Sequence, residues 1–196
     1  MANLNSWRGI GLAAGILLAA TAANAQPVFK TNIIADPAML DPITYSEIIA
    51  GRIMDKVYES LSANTAEGKI VPSLATEWKA NDNATVWRFS LRKGVKFHSG
   101  REFTAKDVKY TFEQLLLPGN KAGLNSAYLS LVQGAKEMKD GKSTELSGVT
   151  IVDPHTIEVR FTEPEVLFPI YPLYLMDSGI VAEQGADWVT NRKSTR

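Results

Sequence analysis

Between Thr85 and Arg92 the side chains alternate, with Trp87, Phe89 and Leu91 on one side and Arg88, Ser90 and Arg92 on the other. A period of two places one set against a core and the other in water, which is the pattern of a half-buried strand. Such a strand needs paired neighbours and a cover for its apolar face. Lys93-Gly94 then turns the chain, Val95 and Phe97 predict a short partner strand, and His98-Ser99-Gly100 turns it again. Thr104 followed by Asp107 marks a helix start, and Val108, Phe112, Leu115 and Leu116 form an apolar stripe that ends at Pro118-Gly119. An amphipathic helix lying on a sheet follows.

Further along, Val149–Val152, the turn Asp153-Pro154 and the alternating Thr156–Phe161 read as a β-hairpin. Toward the N-terminus, Val28–Ala35 predicts a strand broken by Asp36-Pro37 and Asp41-Pro42. Thr44 and Glu47 have capping-box spacing, and Ile49, Ile53, Val57 and Leu61 predict a helix over Tyr45–Leu61. Asn64–Lys69 is a polar turn, with a short turn of helix expected before Trp78. Tyr128–Met138 is expected as a helix with Leu129, Val132 and Ala135 inward, and Ile180-Val181 as a short strand. The order is mixed, α+β or α/β, with local hairpins and no internal repeat.

The N-terminus carries its own signal. Arg8 precedes the apolar run Gly9–Ala20, and Ala23-Asn24-Ala25 supplies an A-x-A site, so residues 1–25 read as a signal peptide cleaved after Ala25. A membrane anchor is the alternative, and the Ala- and Gly-rich run is short for a span. Lys plus Arg and Asp plus Glu both number 21, which gives no electrostatic case for nucleic acid. The chain has no Cys, excluding disulfides and thiol chemistry. His98 and His155 lie far apart and outside any metal-ligand spacing, and each suits a turn. No P-loop, dinucleotide-binding or nucleophile-elbow motif occurs, so no catalytic constellation, metal or cofactor is expected. Trp78, Trp87, Phe89 and Phe97 belong in a core. Tyr45, at a loop-to-helix junction, and Tyr128, after a polar loop, fit a ligand site better.

The stretch Leu40-Asp41-Pro42 through Val57-Tyr58-Glu59-Ser60-Leu61 resembles the opening of the peptide/nickel class of solute-binding proteins, the oligopeptide- and dipeptide-binding family 5 that serves ABC-type importers. Val71-Pro72-Ser73-Leu74-Ala75 with Glu77-Trp78, the run Trp87–Gly100, and Phe103–Val108 with Phe112-Glu113 follow in that family's order. Ser99 stands where an acidic residue is common, a surface-turn change expected to matter little.

The resemblance implies the N-terminal part of a two-lobed, class II-like periplasmic-binding-protein clamp with the second lobe missing. Residues 26–58 would begin lobe I, 59–161 form its small subdomain, and 162–196 return to lobe I, where Thr190–Arg196 replaces the lead into a second lobe. A truncated form with impaired ligand capture is expected. The implied role is substrate binding for peptide transport in the periplasm, not catalysis. The implied partners are a small peptide or similar solute and, for a full-length protein, an ABC-type membrane permease, with the protein itself a monomer. By position, Tyr45, Tyr128, Met176, Asp177 and Ser178 are the ligand-facing candidates. A secreted α+β hydrolase and a short secreted partner-binding protein remain as other readings.

Overall fold

The chain enters through a short helix, α1 (Ile48–Met54), rather than the longer one expected over Tyr45–Leu61. The computed structural model describes residues 32, 35–37, 40–120 and 122–184, so the segment read as a signal peptide, most of the strand expected over Val28–Ala35 and residues 185–196 lie outside it. The helix starts late because Asp41 organises the preceding turn. Its carboxylate accepts the Ile43 N–H at 2.8 Å and the Thr44 hydroxyl at 2.9 Å, and Glu47 becomes the N-cap instead of Thr44. Ala50 and Met54 face inward, Ile49 and Ile53 of the helical pattern are half-buried, and Val57 of that pattern stays exposed, as does Ile48.

A two-stranded hairpin follows, β1 (Ser62–Asn64) and β2 (Ile70–Pro72), closed across the polar turn with Gly68 at φ 76°. β3 (Ala75–Ala80) is a strand where a turn of helix was expected, because its backbone pairs with β4 (Val86–Leu91), setting Trp78 opposite Phe89. Val95 and Phe97 do not form a strand; a single bridge between Lys96 and Glu102 closes that loop.

α2 (Ala105–Leu116) begins as expected, with the Thr104 N–H donating to Asp107 Oδ2 at 2.9 Å. Leu129, Val132 and Ala135 are all buried, yet not on one helix. α3 (Gly123–Ala127) and α4 (Ala135–Lys139) are separate, since Val132 bridges Phe161 and Gly134 turns the chain at φ 83°. β5 (Val149–Asp153) and β6 (Thr156–Arg160) make the expected hairpin, and Ser178–Gln184 is a helix, α5, instead of a strand.

The main sheet is antiparallel in the order β3-β4-β6-β5, so the later hairpin docks through β6 onto β4. Phe89, Leu91, Ile157, Val159 and Val149 are buried, as are Val108, Phe112, Leu115 and Leu116 of α2, and all belong to one core. The opposite face carries Arg88 beside Glu158 at 3.7 Å. The return segment completes the core: Phe168, on a 3-10 turn (Phe168–Ile170), sets its ring against Phe161 at 4.8 Å, Phe89 at 5.7 Å and Phe112 at 6.1 Å.

Candidate functional site

A cleft of about 600 Å³ opens beside α1 and β1, with α3 and the segment leading to Tyr174 among its walls. Its wall is assembled from loops fixed by hydrogen bonds to backbone carbonyls. Asn125, only 2% exposed, donates from its amide to the carbonyls of Ile43 and Tyr45, each at 3.2 Å, and approaches that of Pro42 at 3.5 Å. One side chain thereby ties the Asp41 turn to α3 across 80 to 83 residues of sequence. The Tyr45 hydroxyl donates to the Pro172 carbonyl at 3.1 Å, and its ring lies 5.2 Å from that of Tyr174. The Tyr174 hydroxyl sits 2.5 Å from Asp55 Oδ1 and 3.1 Å from the Gly51 carbonyl, pinning the return segment to α1.

Burial, then the neighbouring Tyr128 phenol, pushes the Tyr45 phenol up to about 12. Burial and the Asp55 contact push Tyr174 up further. Both remain neutral donors at any physiological pH.

Tyr128 reaches the same cleft and stacks on Tyr171, with centroids 4.5 Å apart and planes 19° from parallel. Exposed Ile48 and Leu124 line the cleft beside these rings, and Arg52, Asp55, Lys56 and Glu59 line it as well, so aromatic and apolar surface is mixed with charged groups. Tyr45 and Tyr128, paired from the sequence, are therefore brought together. Tyr58, Tyr174 and Asn125 were not anticipated. Tyr58 lay within the expected helix, Tyr174 within an aromatic stretch without periodicity, and nothing local distinguishes Asn125 from a loop residue.

Met176, Asp177 and Ser178 lie outside the cleft lining. Met176 is 1% exposed, and its N–H donates to Thr111 Oγ1 at 3.0 Å. Asp177 and Asp107 share Arg101: Nε and Nη2 donate to Asp177 Oδ1 at 2.8 and 2.5 Å, while Nη1 and Nη2 also donate to Asp107. Ser178 donates through its hydroxyl to Asp107 Oδ1 at 2.7 Å. These residues form a latch joining the starts of α2 and α5. Asp107, read from the sequence as marking a helix start, is wholly buried within it. Ser99, exposed in its turn, also touches it, donating to Asp177 Oδ2 at 2.5 Å. His98 is exposed in its turn, and His155 Nε2 lies 3.8 Å from Glu102.

Residues 69–195 match the sequence model for the bacterial extracellular solute-binding proteins, family 5, middle region. The chain belongs to this family. Among family 5 relatives, the periplasmic murein peptide-binding protein MppA of Escherichia coli is 34% identical over 135 residues, 68% of this chain and 25% of MppA. The periplasmic oligopeptide-binding protein OppA of E. coli is 32% identical over 163 residues, 81% of this chain and 29% of OppA. The solved structure of the E. coli murein tripeptide-binding protein MppA superposes with a TM-score of 0.72 at 30% identity, covering 80% of this chain and 31% of that one. Haemophilus influenzae OppA in complex with RPPGFSPFR gives 0.71 at 27% identity, covering 79% and 31%. The chain thus spans about a quarter to a third of the length of these family 5 proteins. Its mixed α/β architecture corresponds to part of one lobe of the periplasmic-binding-protein fold.

Proposed function

We propose that this chain supplies one wall of the ligand cleft in the periplasmic substrate-binding component of an ABC-type importer, and that the solute is a peptide or a related molecule. The observation carrying this reading is the joining of Tyr45 and Tyr128 in one cleft, from segments linked by the buried Asn125. Rigid aromatic rings beside exposed Ile48 and Leu124 offer contact area at low entropic cost, as a binding surface needs. The names of MppA and OppA place peptide binding and the periplasm among its relatives. In this reading Tyr45 and Tyr128 contact solute, and Met176, Asp177 and Ser178 fasten the chain after Tyr174 to α2. Residues 1–25 direct export, 26–58 begin the lobe, 59–161 form its small subdomain, and 162–196 pack back. The protein acts as a monomeric binder, without catalysis, and delivers solute to a membrane permease.

The test is nuclear magnetic resonance titration of the 196-residue chain with the nonapeptide RPPGFSPFR. A single wall buries less of a ligand than an enclosed pocket, so dissociation constants near ~1 mM are expected, with shifts confined to Tyr45, Ile48, Tyr58, Leu124 and Tyr128. Absence of shifts at several-fold higher peptide, or shifts centred on the β5 edge, overturns the reading.

A further inference from the structure

We infer that, among the tyrosines of the cleft, Tyr58 and Tyr128 are the specificity-determining donors, while the hydroxyls of Tyr45 and Tyr174 serve only to hold its wall. The inference deepens the proposed binding function and rests on it. Four tyrosines line the cleft, and the structure divides them by what their hydroxyls do. That of Tyr45 is taken by the Pro172 carbonyl, and that of Tyr174 by Asp55 and the Gly51 carbonyl. Among the described residues, neither Tyr58 nor Tyr128 has a hydrogen-bond partner for its hydroxyl. Neither oxygen is among the buried unpartnered side-chain atoms, which are His155 Nδ1 and Gln184 Oε1. Both phenols therefore keep contact with the open cleft, where water satisfies them until a ligand arrives.

Each ring is nevertheless held in place. Tyr128 stacks on Tyr171, and Tyr58 lies 6.3 Å from the ring of Tyr174, which is itself anchored to α1. A fixed ring bearing a free O–H is a pre-positioned donor, and little side-chain entropy remains to be lost on binding. At neutral pH a phenol presents a proton to an acceptor, so the chemistry it selects is a carbonyl or carboxylate oxygen in the solute. Two such donors on one wall favour a ligand with repeated acceptors along its length, as an extended peptide backbone has. Tyr171 then acts as a positioning residue through the stack, and the hydroxyl of Tyr45 adds no readout of solute chemistry.

The experiment compares Tyr58→Phe, Tyr128→Phe and Tyr174→Phe with the unaltered chain, measuring RPPGFSPFR affinity by the same resonance titration and thermal stability by circular dichroism. Tyr58→Phe and Tyr128→Phe are each expected to weaken binding about 3- to 10-fold, the size of one net hydrogen bond, with the melting temperature unchanged. Tyr174→Phe is expected to lower the melting temperature instead. If the unaltered chain binds and the first two variants bind equally well, or if those two melt earlier, the inference is overturned and the proposed function stands. If the unaltered chain shows no cleft shifts, both are overturned together.

Discussion

In the body of the protein, Phe89, Phe112, Phe161 and Phe168 meet edge to face with no polar atom to satisfy. In the cleft wall, Tyr45 and Tyr174 lie as close, but each carries a hydroxyl that must find a partner, and each finds a backbone carbonyl. The body is held by area and shape, which tolerate no gap. The wall is held by directional bonds between segments distant in sequence, which leave space beside them. That difference lets one side of the molecule stay closed while the other offers a surface. It also makes the two regions respond differently to substitution and to pH.

The comparison breaks most readily at Phe168. The residue is buried and touches three phenylalanine rings, so Phe168→Ala leaves a cavity shared by β4, α2 and the return segment. Chemical denaturation should show a loss of about 3–5 kcal/mol. A loss below about 1 kcal/mol would mean that the return segment is not integral to the body.

The latch between α2 and α5 is the intermediate case, polar like the wall but buried like the body. Arg101→Met leaves Asp107 without its counter-charge at 0% exposure. A fully buried pair broken in this way costs about 3–5 kcal/mol; Arg101 is itself 36% exposed, so about 2 kcal/mol is expected. Burial raises the Asp177 carboxyl, but hydrogen bonds from Ser99 and Arg101, with the charge of Arg101, outweigh it and hold it below the usual aspartate range. A carboxyl depressed in the folded state contributes stability that is present above its unfolded value of about 3.9 and lost as pH falls through the folded value. Arg101→Met should therefore flatten the acid limb of the stability profile. An unchanged acid limb would remove the guanidinium from that role.

Much of the body was legible because apolar side chains alone set its periods. Trp87, Phe89 and Leu91 give the strand, and Val108, Phe112 and Leu115 give the helix that covers it. Expectations failed where a polar side chain or a backbone dihedral made the decision. Asp41 captures Thr44 and delays the start of α1, and Gly134 divides the helix expected over Tyr128–Met138. In the candidate site, Tyr45 and Tyr128 stood out as aromatics at loop junctions. Tyr174 and Asn125 could not, because they bond to backbone carbonyls, which every residue carries and no sequence pattern marks, and Tyr58 sat inside the expected helix. Met176–Ser178 drew notice by position along the chain, whereas their contacts depend on the path that brings α5 to the start of α2.

The smallest effect sharpens the contrast from the side of the wall. With the Tyr45 phenol raised to about 12 by burial and by Tyr128, the folded chain keeps that proton where the unfolded chain, near 10, has released it. A group raised in this way contributes stability that is complete below pH 10 and declines as pH rises toward 12, by about 1 kcal/mol at pH 11. Tyr45→Phe should cost about 1 kcal/mol near neutrality through the lost bond to the Pro172 carbonyl, and should lose less than the unaltered chain between pH 9 and 11. The profile will not become flat, because Tyr174 is raised by burial in the same region and still titrates on unfolding. Denaturation at pH 7, 9, 10 and 11 separates the constant loss from the slope. Parallel profiles for the two chains would mean that Tyr45 is as accessible to water as a free phenol, and the wall would then be held by Asn125 and Tyr174 without it.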